Sequence, residues 1–310
     1  MGESLATAFA GRNVISTRDL TKGEILSLLE LAADFEGPCP PLLQGRVMAS
    51  LFFEPSTRTR LSFESAMLRL GGRVLGFAEA GVSSTAKGET LADTVRVAEG
   101  YADIIVMRHP LEGAARAASE AASVPVINAG DGGNQHPTQT LLDLFTLQKE
   151  KNRLEGLRVG FLGDLKFGRA VRSLINTLAR FNAQMTFISP QSLRLPDYYL
   201  EELTAQAVNW KMATDVFPAC KNLDALYVTR IQRERFADPM EFERVKNVYQ
   251  LDHAFLEEAP EDIIIMHPLP RVNEINPDLD KYPQTVYFQQ AHNGVTVRKT
   301  LLAAVLGALK

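Results

Sequence analysis

Only two of the 310 residues are cysteines. Cys39 and Cys220 lie far apart and neither belongs to a CxxC pair, which argues against a disulfide framework and against a structural zinc site. No apolar run approaches the ~18 residues of a membrane span. Positive charge is not in surplus: 33 Lys and Arg stand against 37 Asp and Glu, for a net charge of −4. Such a chain has no global field for nucleic acid or an anionic membrane, so any anion site must be built locally. The first residues, MGESLATAFAGRN, lack the basic start and apolar core of a secretory signal. Ala6 breaks the myristoylation pattern. A cytoplasmic protein is therefore expected. Internal repeats and low-complexity tracts are missing as well. What is present is an ordinary globular balance, 45% hydrophobic and 23% charged, over a length that suggests two domains.

Short apolar runs recur along the chain, at 47–53, 104–107, 124–127, 157–162, 185–188, 225–228, 263–266 and 286–288. Most are rich in β-branched or aromatic residues, as buried strands are. Between them, 60–70, 90–100, 138–149 and 169–180 place apolar residues three and four apart, the pattern of amphipathic helices. Strands alternating with helices predict an α/β fold of two domains, each a parallel sheet flanked by helices. The charged stretch 149–153 precedes a fresh strand, so the first domain is taken as 1–150 and the second as 151–294. The last segment, from 295, reads as a helix.

The informative regularity lies just past the apolar runs. Glu54-Pro55-Ser56-Thr57-Arg58-Thr59-Arg60 follows the first, Arg108-His109-Pro110 the second, and a Gly-rich stretch ending in His136 the third. Asp164 to Arg169, Thr229-Arg230-Ile231-Gln232 and His267-Pro268-Leu269-Pro270-Arg271 follow three later runs. Ligands of open parallel sheets bind beyond the carboxyl ends of the strands. Generic loops favour Lys, Glu and Ser, whereas five of these six ends carry Arg. Ser56 directly precedes a helical stretch and is an N-cap candidate. The hydroxyls of Ser56, Thr57 and Thr59, the Arg58 guanidinium and the first-turn N–H groups would form a cradle for a phosphate. Arg60 is read instead as the partner of Glu64, four residues on. The Gly-rich loop delivers His136 and Gln139 one helical turn apart. No GxxxxGK[ST] is present, and the stretch 162–169 lacks the third glycine of GxGxxG, which disfavours nucleotide triphosphates and nicotinamide. The run 83–90 reads as a mobile closing loop around Lys87.

Taken together these stretches resemble the aspartate transcarbamoylases, which carbamoylate L-aspartate at the start of pyrimidine synthesis. The resemblance spans most of the chain. It rests on FFEPSTRTRLSFE at 52–64, KGET at 87–90, MRHP at 107–110, NAGDGGNQHPTQTLLDL at 128–144, the segment 163–169, TRIQ at 229–232 and HPLPR at 267–271. The ornithine branch of the family has a cysteine in place of Pro268 and a different loop at 164–169. The resemblance implies that Ser56, Thr57, Arg58 and Thr59 bind the phosphate of carbamoyl phosphate. It implies that Arg108 bridges phosphate and carbonyl oxygen and that His136 hydrogen-bonds that oxygen. Gln139 and the carbonyls of Pro268 and Leu269 would hold the carbamoyl amine, with Pro270 in the same turn. Arg169, Arg230 and Gln232 match the positions that bind the aspartate carboxylates. Lys87 and Ser83, or Ser84 with a one-residue shift, match a loop lent by a neighbouring subunit, so a homotrimer with shared sites is implied. The helix 295–310 would return to the first, carbamoyl-phosphate-binding domain, leaving 151–294 to bind aspartate, and domain closure would join the two substrates. No metal or cofactor is expected. Some relatives add a zinc-bearing regulatory chain. The rival readings are an ornithine-type enzyme and a catalytically silent scaffold.

Overall fold

The computed structural model describes residues 8–79, 81 and 88–309. They fall into two compact units, residues 1–145 with 291–310, and residues 146–290. The first contains four parallel strands, β1 (Val47–Phe52), β2 (Arg73–Phe77), β3 (Ile104–His109) and β4 (Val126–Asp131), in the order β2-β1-β3-β4. The second contains five, β5 (Arg158–Gly163), β6 (Gln184–Ile188), β7 (Trp210–Ala213), β8 (Ala225–Thr229) and β9 (Ile264–Met266), all parallel in the order β7-β6-β5-β8-β9. The helices are α1 (Lys22–Asp34), α2 (Thr57–Arg69), α3 (Leu91–Glu99), α4 (Ala114–Ala121), α5 (Pro137–Lys151), α6 (Arg169–Leu178), α7 (Asp197–Ala205), α8 (Val216–Cys220), α9 (Pro239–Val245), α10 (His253–Glu258) and α11 (Tyr287–Val305). The α/β expectation is met. Among the described residues no helix is long and apolar enough to cross a membrane.

β8 inside the second sheet is buried along its whole length, and so is β4 at the edge of the first, because helices cover both sides of a parallel sheet. In the first unit one core layer joins Ala49, Leu51, Ile105 and Met107 of the sheet to Val95 of α3 and Ala115 and Ala118 of α4. In the second, Leu226, Val228 and Ile265 pack with Cys220, Leu251, Phe255 and Tyr287.

Two expectations need correction. The run 286–288 is not a strand: Ile265 N–H donates to Gln284 O (2.7 Å) and Val286 N–H donates to Ile265 O (3.0 Å), a single bridge opposite Thr285, and Tyr287 then opens α11. The stretch from Asn128 is not yet loop: β4 continues to Asp131, all of it buried. Its polar residues bond inward, the Asn128 amide donating to Ile15 O and to Asp131 Oδ1, both at 3.0 Å. Strands β2 and β7 lie outside the apolar runs altogether. They are edge strands with largely exposed residues, so they need no continuous apolar sequence.

Two buried charges hold the units internally. Lys299 of α11, 3% exposed, donates from Nζ to the carbonyls of Phe35 (2.6 Å) and Gly37 (2.8 Å) just past the end of α1. A cation is favoured at this negative end of a helix. Lys299→Met, which keeps the apolar stem and removes the donor shared by the buried Phe35 carbonyl and the more exposed Gly37 carbonyl, is expected to cost about 2 kcal/mol. The urea midpoint of the first unit reads that loss, and an unchanged midpoint would contradict the role.

In the second unit Asp224 accepts from Arg158 Nη2 (2.6 Å), Arg158 N (2.8 Å) and Arg153 Nη2 (2.9 Å). Burial alone would raise its pKa, but the hydrogen bonds from Arg158 and the two positive charges outweigh it and hold the carboxyl below its ordinary value. A depressed folded pKa contributes stability that is complete above the unfolded value of ~3.9. It is lost as pH falls through the lower folded value. Melting temperature measured against pH should therefore drop more steeply below about pH 4 in the native chain than in Asp224→Asn.

Candidate active site

In each sheet the chain reverses its direction of travel once. From β1 it moves out to β2 and returns to β3 on the other side, so the first switch point lies between β1 and β3. From β5 it moves to β6 and β7 and returns to β8, so the second lies between β5 and β8. Crevices at the carboxyl ends of such strand pairs are where open parallel sheets bind ligands.

At the first switch point β1 runs through Glu54 and Ser56 into α2. Ser56 occupies the N-cap position, but its side chain makes no capping hydrogen bond. The helix begins instead with the backbone bond from Arg60 N to Ser56 O (3.1 Å). The first-turn N–H groups have no acceptor within the helix and open at its positive end. Thr57 and Arg58 are exposed there, Ser56 is half-buried and Thr59 is buried. Arg60 is taken up as expected: its Nε donates to Glu64 Oε1 at 2.9 Å, which also accepts from Ser50 Oγ of β1 at 3.2 Å.

Arg108 stands at the end of β3, across the switch point from Ser56. Its side chain is 11% exposed, with Nε 3.1 Å from Glu54 Oε2 and Nη1 donating to Ala129 O at 3.4 Å. Glu54 thus ties the β1 end to the β3 end, a role the sequence reading did not assign. His109 beside it has its pKa lowered by burial, and its Nδ1 accepts from Leu111 N at 3.0 Å.

The loop that delivers His136 is knotted around Asp131, another residue missed from the sequence. Asp131 accepts from Gly113 N and Asn134 Nδ2 on one oxygen and from Asn128 Nδ2 and Gln135 N on the other, at 2.9–3.0 Å. Gly132, at φ 52°, leaves room that a Cβ would fill 2.8 Å from Pro110 O. His136 is buried at the mouth of α5, and Gln139 is half-buried in its first turn.

At the second switch point Gly163 has φ 114°, and a Cβ there would stand 2.1 Å from Thr229 O. Glycine is what lets β5 and β8 close together at this point. Asp164 follows, fully buried, its pKa raised by burial against hydrogen bonds from backbone N–H groups that include Phe167 and Gln232. It accepts Phe167 N–H at 2.9 Å and so fixes the turn that opens α6 with Arg169. Arg230 and Gln232 follow β8, and all three predicted side chains are half-buried.

The turn 267–270 follows β9 and is built on a buried pair. Leu269 N–H donates to His267 Nδ1 at 2.8 Å, so the ring proton sits on Nε2 and is given to Glu274 Oε1 at 2.7 Å. The other Glu274 oxygen accepts the N–H groups of Val272 and Asn273, both at 3.1 Å. Burial would raise the Glu274 pKa, but the hydrogen bond from His267 and those from backbone N–H groups outweigh it and lower it. Leu269 sits at φ 56° and the Leu269–Pro270 bond is cis. Ser83, Ser84 and Lys87 lie outside the described residues.

The structure therefore brings Ser56, Thr57, Arg58, Thr59, Arg108, His136 and Gln139 to the carboxyl edge of one sheet. Arg169, Arg230, Gln232, Pro268, Leu269 and Pro270 stand at the carboxyl edge of the other. Residues 12–149 match the carbamoyl-phosphate-binding domain of the aspartate/ornithine carbamoyltransferases, and residues 155–305 match the Asp/Orn-binding domain of the same family. The chain belongs to this family. Among its carbamoyltransferase relatives, the aspartate carbamoyltransferase catalytic subunit of Methanopyrus kandleri is 55% identical, over 97% of this chain and 99% of its own. The catalytic subunit of M. jannaschii aspartate transcarbamoylase superposes with a TM-score of 0.87 at 50% identity, covering 94% of this chain and 96% of that one. The Trypanosoma cruzi aspartate transcarbamoylase, solved in complex with N-(phosphonacetyl)-L-aspartic acid, superposes with a TM-score of 0.91 at 38% identity, covering 96% and 97%.

Proposed function

We infer that this chain is an aspartate carbamoyltransferase: it transfers the carbamoyl group of carbamoyl phosphate to the α-amine of L-aspartate, giving N-carbamoyl-L-aspartate and phosphate. The observation that carries the reading is that each of the two sheets has its own arginine-bearing switch point. Arg58 and Arg108 flank one, and Arg169 and Arg230 the other. The substrates together present a phosphate and two carboxylates, for which guanidinium groups are the matching donors.

In this reading Ser56, Thr57, Arg58 and Thr59 hold the phosphate at the α2 N-terminus. Arg108 spans phosphate and carbonyl oxygen, His136 donates to that oxygen, and Gln139 with the Pro268 and Leu269 carbonyls accepts from the carbamoyl amine. Arg169, Arg230 and Gln232 orient aspartate. The amine nitrogen bonds to the carbonyl carbon, and the carbonyl electrons move onto oxygen. Thr59, Arg108 and His136 stabilise that oxyanion. The C–O bond to phosphate then breaks, and phosphate leaves with the bonding pair and takes up the proton that the amine gives up. Pinning both reactants converts an encounter in solution into a step between held groups, worth several kcal/mol. Lys87 and Ser83 come from a neighbouring chain of a homotrimer, and the "catalytic subunit" names of the relatives support a regulatory partner.

The test is a direct assay of both amines. Carbamoyl aspartate and phosphate should appear together from carbamoyl phosphate and aspartate. A preference for ornithine would overturn the reading, and so would the absence of turnover in a folded protein. Sedimentation should give the mass of three chains.

A further inference from the structure

The first unit holds a buried carboxylate and a buried guanidinium behind the predicted amine-binding residue. Gln139 donates from Nε2 to Asp143 Oδ1 at 2.8 Å, one helical turn further along α5. Asp143 is fully buried. From α11, Arg298 is brought in with only 2% exposure, its guanidinium 4.9 Å from the Phe63 ring centre and Nη2 3.4 Å from Thr138 Oγ1. Space for it is left by Gly294, where a Cβ would sit 2.4 Å from Arg298 Nη1. Burial weakens the hold of Arg298 on its proton, and the Asp143 charge opposes that.

An ionised carboxylate accepts hydrogen bonds and cannot donate one. Facing Asp143, the Gln139 amide can therefore turn only its NH₂ inward, and its Oε1 is left on the half-buried outer side. An outward oxygen is an acceptor. It suits a ligand group that carries N–H and rejects one that carries methyl in the same place. A buried carboxylate without a nearby cation would tend to take up a proton and become a donor. The Arg298 guanidinium supplies such a cation, and the two groups interact electrostatically.

Resting on the carbamoyl-transfer reading above, we propose that Asp143, with Arg298 behind it, is a specificity-determining positioning pair. It fixes the orientation of the Gln139 amide and so selects a carbamoyl NH₂ over an acetyl CH₃ on the acyl phosphate. Neither residue touches substrate. Both act through Gln139.

Acetyl phosphate is the probe, because it differs from carbamoyl phosphate only in replacing NH₂ by CH₃. Its inhibition constant against carbamoyl phosphate is compared with the KM for carbamoyl phosphate in the native chain, in Asp143→Asn and in Gln139→Ala. In Asp143→Asn the introduced amide places its oxygen toward Arg298, which offers only donors. Its NH₂ then meets Gln139 and turns that amide around. The preference for carbamoyl phosphate is expected to fall about tenfold or more. Gln139→Ala should lose a similar preference, and the double variant should lose little beyond the single ones. A purely structural defect would weaken both acyl phosphates alike and leave their ratio unchanged, which would overturn the proposal. Neutron diffraction of the native chain reads the amide protons without any substitution, so an Asp143→Asn chain that fails to fold leaves the proposal testable. Gln139 protons facing outward would refute it. Loss of the proposal in a chain that still carbamoylates aspartate leaves the activity standing, whereas a native chain that does not bind carbamoyl phosphate removes both.

Discussion

Arg58→Ala is expected to lower kcat by about 10²–10³-fold, the range for removing a donor aimed at charge in an acyl-transfer transition state. Arg58 is exposed in the first turn of α2, where the helix end already carries positive potential. Its guanidinium adds a full charge that the backbone cannot replace. The residues that seat α2 are Phe63, Ala66 and Met67, all fully buried, so the substitution leaves the core untouched. Melting temperature and circular dichroism should match the native chain, and the loss should fall on kcat more than on the KM for aspartate. Undiminished turnover would remove Arg58 from the reaction and with it the phosphate cradle at Ser56–Thr59.

The second large effect falls on the other substrate. Arg230 follows β8 at the second switch point, beside the close approach of Gly163 to Thr229. Charge-assisted bonds between guanidinium and carboxylate are among the stronger single contacts. Arg230→Ala is expected to raise the KM for aspartate about 10²-fold. Carbamoyl phosphate binding, measured alone by equilibrium dialysis, should be unchanged, because its proposed ligands at 56–59, 108, 136 and 139 belong to the first compact unit. Equal losses for both substrates would break this assignment of substrates to units.

Much of this was legible before any fold was known. The central strands are buried on both faces, so they read as continuous apolar runs, and their ends could be located to within a few residues. The edge strands β2 and β7 escaped, because half their surface faces outward and their sequences are mixed. The run at 286–288 misled for a related reason: Val286 and Tyr287 are buried where a single bridge meets a helix start. A short apolar run does not distinguish that from a strand. Candidate ligands stood out because arginine, histidine and hydroxyl residues cluster after strands. Residues that hold them did not. Glu54, Asp131, Asp164 and Glu274 are ordinary acidic residues in sequence, and only their partners at Arg108, Gly113, Phe167 and His267 show what they do.

The amino-acid sequence by itself determined that this is a two-part α/β chain with arginine, histidine and hydroxyl groups beyond its strands, and its motifs carried the resemblance to the carbamoyltransferases. Those features depend on neighbours within one or two turns, where periodicity and residue type speak directly. Strand order, and hence the two switch points, was decided only by tertiary structure. So were the partners of the buried charges: Lys299 lies 264 residues from Phe35, and Arg298 lies 160 from Thr138. No local pattern encodes which distant carbonyl or carboxylate a buried cation will meet. Burial makes that partner obligatory, because an unpaired charge in the interior is too costly to keep.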